Sequence, residues 1–188
     1  FLPGDGARIG KVMLSHAALA GVAFTGSNDT ATLINRALAA RDGAIPALIA
    51  ETGGMNAMIV DSSALPEQAV RDVLASAFDS AGQRCSAARL LFVQEDVAGR
   101  VIKMLQGAMA ELRIGDPEDY ATDIGPVIDD EAKFTLEAHK ARMKAEGKTI
   151  SDLPLGSNCS NGTFVAPAAY ELASISGLKR EVFGPILH

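Results

Sequence analysis

The first fifty residues alternate apolar and polar positions in a pattern typical of a strand–helix–strand unit. Residues 22–25 and 47–50 are short apolar runs of strand length. Between them, Ala31, Ile34 and Leu38 recur at the spacing of one helix face. This pattern predicts the beginning of an α/β domain.

The rest of the chain continues the alternation of strands and helices, with a polar loop at residues 151–163. The pattern predicts strands at residues 57–60 and 89–93, weak strands at 164–165 and 186–187, and helices at 66–78, 96–112 and 129–146. We therefore expect an α/β fold in two lobes that meet near residues 51–54.

Composition and charge narrow the possible functions. The chain has 17 Lys and Arg against 23 Asp and Glu, a net charge of −6, so it lacks the positive surface that nucleic-acid binding requires. No apolar run reaches the roughly 20 residues of a membrane span, and no signal peptide begins the chain. These features predict a cytoplasmic protein.

Cysteine and histidine are too few and too scattered for a metal site or a disulfide framework. The two cysteines, Cys85 and Cys159, do not form a Cys-x-x-Cys pair. The three histidines, His16, His139 and His188, share no ligand spacing, and the charged neighbours of His139 predict a solvated surface position. We expect no bound metal.

Cys85 is one candidate for chemistry, since it lies among small residues between a helix end and a strand. A loop with Gly82, Ser86 and Ala87 exposes backbone N–H groups that could receive a developing oxyanion. A lowered thiol pKa would make the residue a nucleophile. The alternative is a buried, inert cysteine.

Glu51 is a second candidate because it closes an apolar strand and precedes Thr52-Gly53-Gly54. Ligands of α/β sheets bind at the carboxyl ends of strands, and partial burial there would raise the carboxyl pKa towards that of a general base. The alternative is a solvated charge at a strand end.

Two further segments carry weaker signals. Thr25-Gly26-Ser27 precedes a helix whose N-terminus could hold a phosphate, although the same residues are common in turns. On its own, Glu181-Val182-Phe183-Gly184-Pro185 is more typical of a strand start with a core phenylalanine than of a functional site. The chain begins without Met in a Gly-rich turn and ends in an apolar stretch, so we expect part of a longer protein.

Four motifs in one order resemble the aldehyde dehydrogenase superfamily over nearly the whole chain. They are Val22-Ala23-Phe24-Thr25-Gly26-Ser27, Glu51-Thr52-Gly53-Gly54-Met55-Asn56, Gly82-Gln83-Arg84-Cys85-Ser86 and Glu181-Val182-Phe183-Gly184-Pro185. The surrounding residues, such as 57–65, 76–87 and 178–185, are most similar to the dehydrogenase domain of the bifunctional proline utilization A subfamily. That subfamily oxidises L-glutamate γ-semialdehyde, the open form of Δ1-pyrroline-5-carboxylate, to glutamate with NAD+.

The resemblance implies a role for each matching residue. Cys85 would attack the aldehyde to form a thiohemiacetal and then a thioester, and Glu51 would activate the hydrolytic water. Ser86 would contact substrate. The cofactor site would comprise Ser27 at the pyrophosphate, Glu181 at the nicotinamide ribose, Phe183 beside the nicotinamide, and Thr25, Gly26, Thr52 and Gly53.

The resemblance also implies the domain organisation. Residues 1–53 would be the C-terminal part of a Rossmann-like NAD-binding domain, and residues 54–188 a catalytic domain truncated at its C-terminal end. FAD would be present only in a proline dehydrogenase domain outside this chain, and the parent protein would be a homo-oligomer. Two alternatives stay open: a folded but inactive piece of a dehydrogenase, and a thiol hydrolase or acyltransferase that uses Cys85.

Overall fold

The computed structural model describes residues 1–188, which form two compact units, residues 1–53 and 54–188. The helices are α1 (Gly6–Ser15), α2 (Asn28–Ala39), α3 (Pro66–Phe78), α4 (Glu95–Ala110) and α5 (Asp130–Glu146). The strands are β1 (Gly21–Gly26), β2 (Ala47–Thr52), β3 (Ala57–Val60), β4 (Leu90–Val93), β5 (Lys148–Asp152), β6 (Ala168–Glu171) and β7 (Ile186–Leu187). None of the helices is both long and apolar enough to cross a bilayer.

The first unit is a parallel strand pair connected by α2. β1 and β2 pair from Gly21 opposite Ala47 to Gly26 opposite Thr52, so the predicted strand–helix–strand unit is confirmed. The helix turns Ala31, Ile34 and Leu38 inward, as the helical spacing of these residues predicts.

The sequence pattern did not predict α1 (Gly6–Ser15), which follows directly after the Gly-rich start of the chain. The Asp5 carboxylate accepts a hydrogen bond from the backbone N–H of Arg8, which satisfies one of the free donors at this helix start. Gly6 and Gly10 therefore do not prevent a helix once a side chain caps its first turn.

The second unit contains the two-stranded sheet β3-β4 and the three-stranded sheet β5-β6-β7, which backbone hydrogen bonds of His188 connect. β3 pairs with β4 and β6 with β7 in parallel, and β5 joins β6 in antiparallel pairing. His188 extends β7 alongside β4, because its N–H donates to the Arg89 carbonyl and its carbonyl accepts from Leu91 N–H. The α/β class predicted from the hydrophobic pattern is confirmed.

The core of this unit lies between the sheet and the apolar faces of its helices. Its largest fully buried apolar residues are Tyr170, Phe78, Met109, Ile124, Met143, Ile186, Leu187, Val73, Val101 and Val165. Burying such side chains contributes roughly 1.5–3 kcal/mol each relative to leaving them exposed. Two cations, Arg89 and Lys140, are buried in the same unit.

Two strand assignments in the last forty residues differ from the prediction. Residues 164–165 are buried but not in a strand, because Pro167 has no N–H and pairing begins only at Ala168. β5 was not predicted, and its last two residues fall in the expected polar loop; along this strand Lys148 pairs with Glu171 and Asp152 pairs with Lys140. Charged side chains that find partners therefore concealed this strand from the hydrophobic pattern.

α3 ends in a left-handed turn that leads towards Cys85. Ser80, Ala81 and Gly82 have φ angles of 56°, 52° and 65°. A Cβ atom on Gly82 would lie 2.2 Å from the Gly184 carbonyl oxygen. Only glycine fits at this position, because the close approach excludes a side chain and the positive φ disfavours one.

Gly82→Ala should destabilise the chain by about 3 kcal/mol or more, because the new methyl group collides with backbone in a strained conformation. Gly107→Ala is the matched control, since Gly107 lies in α4 with open space around its Cα. The control should gain about 0.5–1 kcal/mol of helix stability. Urea unfolding measures both, and equal effects of the two substitutions would contradict the packing described for Gly82.

Candidate active site

Cys85 lies on an exposed loop between the left-handed turn and β4. Its side chain is open to solvent, whereas Cys159 is buried. The alternative of a buried Cys85 is therefore wrong. Ser86 is exposed beside Cys85, which leaves both side chains accessible to a small molecule.

Asn56 holds the loop from one side. Its side-chain Nδ2 donates to the Cys85 carbonyl at 2.6 Å and to the Ala87 carbonyl at 3.0 Å. The Asn56 backbone carbonyl accepts from the N–H groups of Arg89 and Leu90. One residue before β3 therefore anchors both the backbone of Cys85 and the start of β4.

Arg89 holds the same loop from beneath and is fully buried. Its Nη1 donates to the carbonyls of Gly82 at 2.7 Å and Gly184 at 3.2 Å. Its Nη2 donates to the Arg84 carbonyl at 3.1 Å and to Glu181 Oε1 at 2.9 Å, and its Nε donates to the same Oε1 at 3.1 Å. All five N–H donors of the guanidinium therefore have a partner.

Arg89 also brings the predicted Glu181 and Phe183 to the loop that carries Cys85. The exposed Phe183 ring lies 5.2 Å from the guanidinium carbon, within the range of a cation–π contact. Both hydrogen bonds to Glu181 end on Oε1, so Oε2 has no protein partner. The carboxylate is thus fixed in orientation but keeps one oxygen free to accept from a ligand.

The two residues before Cys85 turn their side chains into the protein. Arg84 Nη2 donates to the Ala75 carbonyl of α3 at 2.8 Å. Gln83 Oε1 accepts from the backbone N–H of Ile128 at 2.9 Å. Both side chains therefore tie the loop to the rest of the second unit.

In the first unit, the predicted cofactor residues meet at the carboxyl edge of the strand pair. Thr25 lies opposite Glu51 and Gly26 opposite Thr52. Ser27 begins α2: its Oγ accepts from Thr30 N–H at 3.1 Å, at an exposed helix N-terminus. This position suits an anion because helix N-termini present free N–H groups and a positive dipole end.

Glu51 differs from its expected setting. It lies inside β2, which continues to Thr52, and its side chain is exposed. The partial burial that would favour a general base is therefore absent in the first unit. Gly53, the last residue of this unit, is half-buried.

The expectation of a solvated His139 is also wrong. His139 is half-buried, and its Nε2 lies 2.8 Å from Nε2 of His188. Helical spacing predicts the α5 face that carries His139, but no local pattern indicates a partner 49 residues away.

Asn56 and Arg89 are the functional residues that the sequence reasoning missed. One signal for Arg89 exists in Ala87-Ala88-Arg89-Leu90-Leu91, where a single charge interrupts an apolar run at a strand start. A charge that is buried with such a strand requires partners. For Asn56 the sequence offers no signal beyond its place after two glycines.

Arg89→Met should destabilise the chain by about 3–5 kcal/mol, because it leaves the Glu181 carboxylate and three carbonyls without their shared donor. Arg100→Met is the control, since the Arg100–Glu67 pair is largely exposed. The control should cost about 1 kcal/mol or less. Denaturant midpoints measure both, and a mild effect at Arg89 would contradict its organising role.

Comparison with known proteins places this geometry in a family. The model of the aldehyde dehydrogenase family matches residues 1–188. The bifunctional protein PutA of Klebsiella aerogenes is 54% identical over 195 residues, which cover 100% of this chain and 15% of that protein. The chain therefore spans about 15% of the length of this relative.

Solved structures agree with this result. A variant of proline utilization A from Bradyrhizobium japonicum superposes with a TM-score of 0.93 at 60% identity, over 98% of this chain and 19% of that one. 1-Pyrroline-5-carboxylate dehydrogenase from Thermus, solved with bound NAD, gives a TM-score of 0.90 at 29% identity, over 100% of this chain and 37% of that one. The resemblance carried by the four motifs is confirmed: the chain belongs to the aldehyde dehydrogenase family.

Proposed function

We propose that the protein carrying this chain oxidises L-glutamate γ-semialdehyde to L-glutamate with NAD+, and that Cys85 is the nucleophile. One observation carries the proposal: Cys85 is exposed on a loop whose backbone Asn56 and Arg89 hold by hydrogen bonds. The names of its relatives, PutA and 1-pyrroline-5-carboxylate dehydrogenase, support the substrate.

Cys85 forms and breaks the covalent bond. Its thiolate adds to the aldehyde carbon, and the carbonyl oxygen takes the negative charge of a thiohemiacetal. Backbone N–H donors of the loop, including that of Cys85, stabilise this oxygen. Loss of hydride leaves a thioester, and attack by water then breaks the C–S bond, which releases the carboxylate and restores the thiolate.

The remaining residues serve the cofactor, the water and the substrate. NAD+, when bound, accepts the hydride. Ser27 with Thr25 and Gly26 contacts the pyrophosphate at the exposed start of α2, and Thr52 and Gly53 border the same edge. Glu181 offers its free Oε2 to the nicotinamide ribose, and Phe183 packs beside the nicotinamide.

Glu51 takes the proton of the attacking water, and Ser86 contacts the substrate. Residues 1–53 accordingly belong to the NAD-binding domain and residues 54–188 to the catalytic domain. We further propose a homo-oligomeric parent, in which any FAD belongs to a proline dehydrogenase domain outside this chain.

A thiol hydrolase built on Cys85 is disfavoured by the histidines. Such an enzyme needs an imidazole that hydrogen-bonds the thiol. His139 and His188 instead bond to each other, and their remaining ring nitrogens contact Arg142 and the Arg89 carbonyl. Neither histidine of the second unit is therefore available to Cys85.

In the protein of full family length, Cys85→Ser should abolish NADH formation from glutamate semialdehyde and leave NAD+ affinity within about twofold, because only the nucleophile is lost. Cys159→Ser is the matched control and should keep full turnover, since Cys159 is buried. NADH absorbance and NAD+ titration give the two readouts. Turnover retained by the Cys85 variant would remove the proposed nucleophile.

In the 188-residue chain, Cys85 should react with iodoacetamide at least about tenfold faster than Cys159 at neutral pH, because only Cys85 is exposed. Mass spectrometry of the alkylated peptides measures both rates in one sample. Similar rates would show that the loop or the core around Cys159 opens in solution. Unfolded chain in urea, where both thiols are accessible, supplies the reference rates.

A further inference from the structure

His139 on α5 and His188 after β7 form an edge-on pair with three defined contacts. Their ring centroids are 5.0 Å apart at an interplanar angle of 82°. The two Nε2 atoms are 2.8 Å apart, His188 Nδ1 lies 3.1 Å from the Arg89 carbonyl oxygen, and His139 Nδ1 lies 3.3 Å from Arg142 Nη2. All four ring nitrogens therefore have a partner.

These contacts allow only one arrangement of protons. A carbonyl can only accept, so His188 Nδ1 carries the proton and its Nε2 is an acceptor. His139 must then donate from Nε2, which leaves its Nδ1 to accept from the guanidinium of Arg142. A second proton on either ring would place two N–H groups against each other, so both rings are neutral.

The charges around the pair favour the same neutral state. The cations that face it are Arg142 from α5 and Arg89 from the start of β4, and each already has a carboxylate, Glu146 and Glu181 respectively. Burial first, then His188 and Arg142, lower the pKa of His139 to about 4. Burial is also the main cause that lowers the pKa of His188.

The pair connects to the nucleophile loop through one residue. The Arg89 carbonyl accepts from both the backbone N–H and the ring Nδ1 of His188. The guanidinium of the same Arg89 binds the carbonyls of Gly82 and Arg84 just before Cys85. A shift of the Arg89 backbone would therefore move the support of the nucleophile.

We propose that His139 and His188 are a positioning pair for Cys85. The pair keeps Arg89 in place by a hydrogen bond to the Arg89 carbonyl, and it does so only while both rings are neutral. The proposal rests on Cys85 being the nucleophile. It assigns the pair no contact with substrate or cofactor. The stabilising contribution of the pair is complete above the ordinary histidine pKa of about 6.5, and it is lost as the pH falls towards the lowered values.

The proton arrangement can be read directly by ¹H–¹⁵N NMR of the imidazole rings in the wild-type 188-residue chain. We expect His188 as the Nδ1–H tautomer and His139 as the Nε2–H tautomer. His139 should remain neutral at about pH 5.5, where an ordinary histidine is protonated. An Nε2–H tautomer for His188, or a charged His139 ring at that pH, would overturn the proposal.

The effect of the pair on turnover is measured in the full-length parent protein that carries this chain. His139→Leu removes the donor to His188 and should lower kcat about tenfold with KM for NAD+ within about twofold, the scale of one lost hydrogen bond. His139→Gln keeps an N–H donor near the position of Nε2 and should restore at least about half of kcat. His16→Leu, in the first unit, is the matched histidine control and should change neither constant.

The outcomes separate this proposal from the function on which it rests. If Cys85→Ser retains turnover, the proposed nucleophile fails, whereas the tautomers predicted for the wild-type chain stand on their own. If Cys85→Ser is inactive but His139→Leu behaves as wild type, the positioning role alone is wrong. A kcat that falls equally in the Leu and Gln variants would also overturn the role, because the retained donor should matter.

Discussion

The second unit depends on the requirement that a fully buried guanidinium satisfy all five of its donors. Arg89 meets it with three backbone carbonyls and one carboxylate oxygen. A buried charge without such partners costs several kcal/mol, so alternative loop conformations that withdraw any one carbonyl are penalised. The carbonyls lie on both sides of the site: two precede Cys85, and one follows Phe183.

This requirement brings the segments around Gly82 and Gly184 close together. Nη1 of Arg89 binds the carbonyls of Gly82 and Gly184 together, which brings the two backbones into contact. A Cβ on Gly82 would meet the Gly184 carbonyl, and a Cβ on Gly184 would meet Leu136 of α5 at 2.4 Å. The close approach of the two backbones, which share the Nη1 donor of Arg89, thus explains the glycine at residue 82.

Sequence patterns predicted the helices and strands that depend on neighbouring residues. They failed for features that depend on partners far along the chain. The strands and helices around the site follow apolar periodicity, and the family followed from four motifs in order. α1 was missed because its Asp5 cap outweighs two glycines, and β5 because ion pairs replace apolar contacts along it. The burial of His139 and Arg89 and the exposure of Glu51 depend on residues far along the chain, which no single-sequence pattern contains.

The two buried cations of the second unit show how similar ion pairs differ in function. Asp152 and Glu181 are almost equally enclosed, with side chains 17% and 15% exposed. Asp152 binds Lys140 through one oxygen and Lys144 through the other, so each of its oxygens already has a protein partner. Glu181 accepts both hydrogen bonds from Arg89 on a single oxygen, Oε1. The other guanidinium donors are occupied by backbone carbonyls, including that of Arg84 in the loop that carries Cys85. The loop that presents Cys85 therefore also leaves Glu181 with a free acceptor, and this links the nucleophile and the proposed ribose contact through one side chain.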